Sequence, residues 1–148
     1  MSTDSPPFDE STPINGIETV LRRVSPRHYD HEAGVFTSEA FRPTSDDAKG
    51  ISLSRLIAIS AEDLLNASAN EDTRNFGAIL SAIVQDIFDA GMTVERDLAD
   101  TPGHLIVPQI NLIQYRDKRT KGEVKLRMAE LQKLFEKNIV ILPHRIPE

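Results

Sequence analysis

The side chains best suited to chemistry are concentrated in one run, Arg27 to Glu32, which reads Arg-His-Tyr-Asp-His-Glu. His28 and His31, with the carboxylates beside them, are the kinds of ligand that bind a divalent metal. Histidines three residues apart share one face only on a helix, and a proline just before the run and a glycine just after it favour a short or irregular segment. An exposed polar loop is therefore the alternative, and we predict no metal site.

His104 follows a Thr-Pro-Gly turn and precedes an apolar segment, which predicts a position at the end of a strand. A histidine that faces a cleft there could act as a general acid or base; a hydrogen-bonded structural histidine is the alternative. Near the N-terminus, Arg22 and Arg23 could hold a phosphate group. One hypothesis is therefore an enzyme that acts on a nucleotide-like substrate, with the candidate catalytic residues Arg23, His28, His31 and His104.

A basic stretch from Arg116 to Arg127 contains six basic and two acidic residues, a local balance of +4. It precedes and opens the last predicted helix, so an anion could be attracted by both its side chains and the helix N-terminal amides. A solvated charged loop is the alternative, and an RNA-binding module is a further hypothesis, although only Tyr115 lies near as a stacking aromatic. The predicted partner-binding or anion-binding residues are Arg116, Lys118, Arg119 and Lys121.

The 148-residue chain has a formal net charge of −6 and no cysteine. It therefore has no disulfide, thiolate nucleophile or cysteine-bound zinc, and the net charge argues against a dedicated nucleic-acid binder. Residues 60–100 carry a local balance of −7, so the molecule is electrically two-sided. No phosphate-binding glycine loop, dinucleotide fingerprint or zinc-protease motif occurs, and we predict no cofactor. Without an apolar span or a leader pattern, we expect no membrane contact and a cytoplasmic location.

The elements that position these residues are organised around the segment Thr73 to Ala90. Its apolar residues recur three and four positions apart, from Phe76 to Phe88, which predicts an amphipathic helix. Asn70 and Gly91 are suitable residues for its two ends. We expect all of its bulky side chains to face the core.

The remaining elements are shorter. A capping pattern at Thr120 and Glu123 predicts a second amphipathic helix that reaches about Lys137. The other predicted elements are strands at Ile17–Val24 and in the first part of Ile51–Ile59, a short helix at Ala61–Ala67, an antiparallel pair formed by Met92–Glu95 and Leu105–Ile110, and a buried strand at Ile139–Leu142.

This order of elements predicts an α+β fold, in which a mostly antiparallel sheet packs against two longer amphipathic helices. Residues 1–13 are rich in proline, serine and acidic side chains, which predicts a disordered N-terminal arm. Residues 14–148 are expected to form a single domain.

Four motifs resemble those of a set of small uncharacterised bacterial proteins with no established activity. They span most of the chain after the arm, and the resemblance implies a bacterial origin and a shared fold. The motifs are Leu21-Arg22-Arg23-Val24-Ser25-Pro26, Thr37-Ser38-Glu39-Ala40-Phe41-Arg42-Pro43, Ile51-Ser52-Leu53 and Gly103-His104-Leu105-Ile106-Val107.

The arginine-bearing strand followed by Ser38, Ala40 and Phe41 also resembles the RES and ADP-ribosyltransferase class. Those enzymes seat NAD between such elements and use a glutamate or other polar residues late in the chain. This sequence has no Glu-x-Glu at a late strand end and lacks the glycine-rich part of the RES signature.

The leading hypothesis is a small cytoplasmic protein that acts by binding another macromolecule, for instance as an accessory, inhibitory or immunity-type component of a multi-gene system. Its motivation is the absence of a catalytic motif together with segregated charge, which gives electrostatic complementarity to a partner. We expect the partner to be a protein, with nucleic acid bound through residues 116–127 as the alternative.

Overall fold

The structure is a computed structural model that describes residues 8–97 and 102–147. Its strands are β1 (Thr19–Val24), β2 (Tyr29–Asp30), β3 (Val35–Phe36), β4 (Ile51–Arg55), β5 (Ala78–Ile83), β6 (Glu95–Arg96), β7 (His104–Val107) and β8 (Ile139–Ile141). Its helices are α1 (Ala61–Asn66), α2 (Glu71–Phe76), α3 (Val84–Asp89), α4 (Leu112–Arg116) and α5 (Lys121–Glu136). Two 3₁₀ turns occupy Pro26–His28 and Ser38–Phe41.

Six of the strands form one sheet with the order β6-β7-β4-β1-β5-β8. Each neighbouring pair in this sheet is antiparallel, and β2 and β3 form a separate antiparallel hairpin. The predicted α+β class with a mostly antiparallel sheet is therefore confirmed.

The core lies on both faces of the sheet. Helix α5 covers one face, and its apolar residues, three and four positions apart, are fully buried: Val124, Met128, Leu131 and Phe135. Helix α1 covers the other face, where Ala61 and Leu64 pack with Leu21 and Ile79. Successive residues of β1 point to opposite faces, so this strand contributes to both parts of the core.

The predicted central helix, Thr73–Ala90, is wrong. Helix α2 ends at Phe76, β5 follows, and α3 begins only at Val84. Strand β5 lies between β1 and β8 and is packed on both faces, so residues 78–82 are all buried. A strand covered on both faces shows no alternation, and its apolar run also fits helical spacing. Phe88, which was expected in the core, is 40% exposed, and the described residues contain one long amphipathic helix rather than two.

Two predictions near the C-terminus also need correction. The segment Ile139–Leu142 contains an edge strand rather than a buried one, since Val140 is 50% exposed and Leu142 is 60% exposed. Helix α5 begins directly after Thr120, as predicted, but the Thr120 side chain does not cap it. Its hydroxyl instead donates a hydrogen bond to the Gln114 carbonyl at 2.7 Å.

The predicted disordered arm, residues 1–13, lies partly outside the described residues. From Phe8 onward it contacts the domain. Arg55 donates hydrogen bonds to the carbonyls of Thr12, at 2.8 Å, and Pro13, at 3.0 Å, and its guanidinium carbon lies 5.3 Å from the centre of the Phe8 ring. Composition did not reveal these contacts because the accepting groups are main-chain carbonyls, which every sequence has.

Arg55 also forms a buried ion pair with Glu18, with nitrogen to oxygen distances of 2.5 and 2.7 Å. Arg55 is 1% exposed and Glu18 is 9% exposed. We expect Glu18→Ala to lower the free energy of unfolding by about 3–5 kcal/mol, because it leaves a buried guanidinium without its carboxylate. Urea denaturation measures this loss.

The control for this variant is Glu130→Ala, which removes an exposed pair with Lys133. Such pairs contribute at most about 1 kcal/mol. Equal losses in the two variants would contradict a structural role for the buried pair.

Gly77 separates α2 from β5 at a point of close backbone approach. A Cβ atom there would lie 2.5 Å from the Thr73 carbonyl oxygen and 2.8 Å from the Val24 carbonyl oxygen. Because both neighbours are main-chain atoms, we expect Gly77→Ala to lower the free energy of unfolding by about 1–3 kcal/mol. In the matched variant Gly122→Ala, the added Cβ meets nothing within 4 Å, and better helix propensity should stabilise the protein by about 0.5–1 kcal/mol. Thermal denaturation of both variants tests these two predictions. A Gly77→Ala protein as stable as the parent would contradict the predicted clash at Gly77.

Candidate functional site

A cleft of about 700 Å³ opens beside the C-terminal end of β1. One wall is formed by the end of β1 and the first 3₁₀ turn, and a second by the second 3₁₀ turn and the loop that follows it. Helix α4 and the first residue of α5 complete the rim. The cleft therefore collects residues from four parts of the sequence.

We call this site the basic cleft because its lining carries six cationic side chains and one carboxylate. This local balance of +5 stands against −6 for the whole chain, which leaves −11 on all other residues. Such a concentration of one sign of charge in a concave surface attracts an anionic ligand. The charged lining residues are Arg22, Arg23, Arg27, Arg42, Arg116, Lys121 and Glu39.

Arg22 forms part of the cleft wall and is held by main-chain groups. Its Nη1 donates to the Ser52 carbonyl at 2.8 Å, and its Nη2 donates to the Ala40 carbonyl, also at 2.8 Å. Burial lowers the pKa of Arg22 to about 10, with the carboxylate of Asp47 acting in the opposite direction. The side chain therefore remains charged at neutral pH and contributes a fixed positive charge to the site.

Two further cations lie over the Tyr115 ring. The Lys121 Nζ is 4.9 Å from the ring centre, and the Arg42 guanidinium carbon is 5.8 Å from it. Arg42 also forms an ion pair with Glu39 at 3.3 Å. The ring face attracts cations, so Tyr115 holds two like charges near the mouth of the cleft.

His28 is the one histidine among the lining residues of the basic cleft. Partial burial lowers its pKa below the usual value of 6.5, and the positive charge of Arg27 lowers it further, whereas Glu39 raises it. Arg22 and Arg42 have smaller effects that also lower it. The ring is therefore mainly neutral at neutral pH, and a bound anion would favour its protonation.

The four candidate catalytic residues do not meet in one place. Arg23 and His28 both line the basic cleft, although Arg23 also donates to the Leu64 carbonyl on the other side of the sheet at 2.7 Å. His31 lines a second cleft. His104 pairs in register with Ser54, at the opposite end of β4 from the basic cleft.

The surroundings of His104 fit the structural alternative. Its Nδ1 lies 3.1 Å from an Asp97 carboxylate oxygen, which makes an ion pair when the ring is protonated. The Asp97 amide also donates to the His104 carbonyl at 3.0 Å. His104 therefore contributes to the joining of β6 and β7.

The predicted anion-binding set divides into two pairs. Arg116 and Lys121 line the basic cleft. Lys118 and Arg119 are exposed and do not line it, and Arg119 pairs with Asp117 at 3.0 Å. Residues 116–121 connect α4 to α5, and only the two ends of this connection, Arg116 and Lys121, line the cleft.

Sequence reasoning missed Arg27 and Arg42 as parts of the site. In the sequence, Arg27 stands out only as a neighbour of the histidines, and Arg42 only as part of the motif Thr37-Ser38-Glu39-Ala40-Phe41-Arg42-Pro43. One signal was available: both lie beside a proline, Pro26 and Pro43, which fixes the local backbone. Their convergence depends on the tertiary fold and could not be inferred from spacing.

Among the described residues, no group of three or more His, Asp or Glu side chains is placed to hold a metal ion. Within the same residues, no helix combines the length and the apolar character needed to cross a membrane. No protein-family model, curated protein or solved structure is detectably similar to this chain. The inference of function therefore depends on the site itself.

The charges around His28 predict how its titration responds to substitution. We expect Arg27→Ala to raise the pKa of His28, because it removes a repelling cation, and Glu39→Gln to lower it further, because it removes an attracting carboxylate. NMR titration of the histidine ring measures both shifts. A shift in the wrong direction in either variant would contradict the arrangement of charge in the cleft.

The same pKa predicts a pH dependence of stability. The unfolded chain binds a proton near pH 6.5 and the folded protein only at lower pH, so stability should decrease as the pH falls from about 6.5 through the folded pKa. This loss should be smaller in His28→Asn.

Proposed function

We propose that this chain acts by binding another macromolecule, and that an anionic segment of the partner enters the basic cleft. The observation that carries the proposal is the lining charge of +5 in a protein of net charge −6. A basic site on an otherwise acidic surface gives a local positive potential, which steers a complementary partner and fixes its orientation.

The cations of the cleft are suited to bind a ligand because several of them have no carboxylate partner within the protein. Among the described residues, Arg27, Arg116 and Lys121 make no ion pair. All three are exposed at the rim. A carboxylate or phosphate that enters the cleft can therefore accept hydrogen bonds from them without displacing an internal carboxylate.

Binding is favoured over catalysis by the separation of the histidines. General acid and base groups must both lie within hydrogen-bond reach of the reacting atoms. Of the three histidines considered as acid or base, only His28 lines the basic cleft.

A second candidate function is an enzyme that acts on a nucleotide-like substrate, because Arg22, Arg23 and His28 line one cleft. The two functions differ in what they bind. A ligand that binds only the folded state raises the melting temperature, so a panel of NAD and nucleotides should leave the melting temperature unchanged if the partner is a macromolecule. A specific increase that disappears on substitution in the cleft would favour the enzyme.

The proposal predicts a strong effect of charge in the cleft. We expect the variant Arg27→Glu/Arg116→Glu/Lys121→Glu to bind anionic probes at least about tenfold more weakly, because about 1.4 kcal/mol of lost attraction is enough for that change. The probes are fluorescein-labelled hexaglutamate and hexauridylate, measured by fluorescence anisotropy at low and at physiological salt. All three side chains are exposed, so the variant should fold, and circular dichroism verifies this.

The matched control is Lys118→Glu/Arg119→Glu/Lys125→Glu. It makes the same change in net charge at exposed residues outside the cleft lining. This control should retain most of the affinity. An equal loss in both variants, or no binding of either probe by the parent protein, would refute the proposal.

A further inference from the structure

A second cleft of about 610 Å³ adjoins the basic cleft. The two are separated by the 3₁₀ turn Pro26–His28, and Arg27 lines both of them. The far wall of the second cleft is the C-terminal segment His144–Pro147. A ligand that extends from one cleft to the other would therefore pass over Arg27.

The second cleft differs from the basic cleft in chemistry, and we call it the apolar cleft. Tyr29, Ile146 and Pro147 provide apolar surface beside the buried Pro26. Two arginines, Arg27 and Arg145, and two histidines provide its polar groups. Ile146 is 47% exposed, which leaves hydrophobic surface that a ligand can cover. Burial of an apolar side chain on such a surface is favourable.

Both walls of the apolar cleft are held by the fold. The 3₁₀ turn is closed by a hydrogen bond from the His28 amide to the Ser25 carbonyl at 3.1 Å, and Pro26 within it is buried. The C-terminal segment is attached by the His144 amide, which donates to the Phe76 carbonyl at 2.9 Å. A ligand thus meets a site with an arrangement that exists before binding, which lowers the entropy cost of binding.

The aromatic rings of the two clefts are poorly placed to stack nucleic-acid bases. Lys121 and Arg42 already lie over Tyr115. The Tyr29 ring packs against Phe36 and against His31, with ring centres 4.7 and 4.8 Å apart. Single-strand binding proteins combine a basic groove with rings on which bases stack. The clefts provide the positive charge but keep their tyrosine rings engaged with other side chains.

The charge outside the clefts also disfavours a long polyanion. All residues outside the basic cleft together carry −11, so a nucleic-acid chain long enough to cross the rest of the molecule would meet net negative charge beyond the basic residues of 116–127 and Arg145. A peptide is different, because it can place a few acidic side chains in the cleft and have neutral or apolar residues elsewhere.

We propose that the partner is a protein that inserts an acidic peptide segment, with its Asp or Glu side chains in the basic cleft and a neighbouring apolar side chain in the apolar cleft. This inference rests on the proposed function and adds the class of partner. The positive rim selects the acidic residues, and the apolar cleft fixes which end of the peptide lies beside the C-terminal segment.

The test compares two fluorescein-labelled peptides that differ only next to the acidic run. Each contains six glutamates and a diglycine spacer, followed in one peptide by two leucines and in the other by two serines. We expect the leucine peptide to bind the parent protein about tenfold more tightly, since burial of one leucine side chain corresponds to at least this factor.

The variant Ile146→Ser removes apolar surface from the apolar cleft. It should abolish this preference, so that the two peptides bind with about equal affinity. The matched control is Leu142→Ser, at a similarly exposed position between β8 and the C-terminal segment and outside the lining of either cleft. The control should keep the tenfold preference.

The outcomes separate this inference from the proposed function. Equal affinity of the two peptides for the parent protein, or an unchanged preference in Ile146→Ser, would overturn this inference. The proposed function would still be supported if charge reversal in the basic cleft weakened the binding of hexaglutamate. Tighter binding of hexauridylate than of either peptide would also overturn it, and would identify single-stranded RNA as the partner.

Discussion

The guanidinium of Arg22 fixes the geometry on which the basic cleft depends. Strand β1 directs this side chain to the space between β4 and the second 3₁₀ turn, where it donates to the carbonyls of Ser52 and Ala40. Main-chain carbonyls hold the group in place without cancelling its charge, whereas a carboxylate partner would neutralise it. The same side chain therefore attaches the turn that carries Glu39 to the sheet and gives the cleft its permanent positive charge.

The clustering of six cations around one cleft has an electrostatic cost, because like charges repel one another in the folded protein. Two features reduce this cost. The cations at the rim face solvent, where salt screens their repulsion, and the Tyr115 ring attracts both Arg42 and Lys121. The repulsion that remains is relieved when an anion binds. A ligand thus gains affinity from a charge distribution that slightly destabilises the free protein.

The sequence was sufficient to predict elements that have one buried and one exposed face. Helix α5 buries Val124 and Phe135 on one side only, so its period identifies both its type and its bounds. The α+β class followed from similar patterns. The turn signal also predicted an antiparallel pair at β6 and β7, although β6 shares only Glu95 with the predicted strand Met92–Glu95. Strand β5 could not be identified in this way, because it is covered on both sides and its apolar residues have no distinctive period.

The sequence predicts only part of the candidate site, and the reason is related. Arg23 and His28 lie within one short stretch, so their proximity is a local property that the sequence contains. The position of His104 is set by its register with Ser54, and the separation of Lys118 from Lys121 is set by the packing of α4 on α5. Register and packing depend on the whole sheet, and spacing along the chain does not determine them.

In the proposed function, the net negative charge outside the cleft contributes to specificity although it does not contact the ligand. At physiological salt, a charge acts over about 8 Å, so an anion is attracted only when it comes close to the cleft or to the basic residues beside it, and it is repelled by the acidic parts of the surface. A long polyanion would gain attraction at the cleft and lose it along the rest of its length, whereas a short acidic segment experiences the attraction alone. The net charge of −6 is therefore compatible with an anion-binding site, because repulsion over most of the surface restricts binding to ligands with a short charged part.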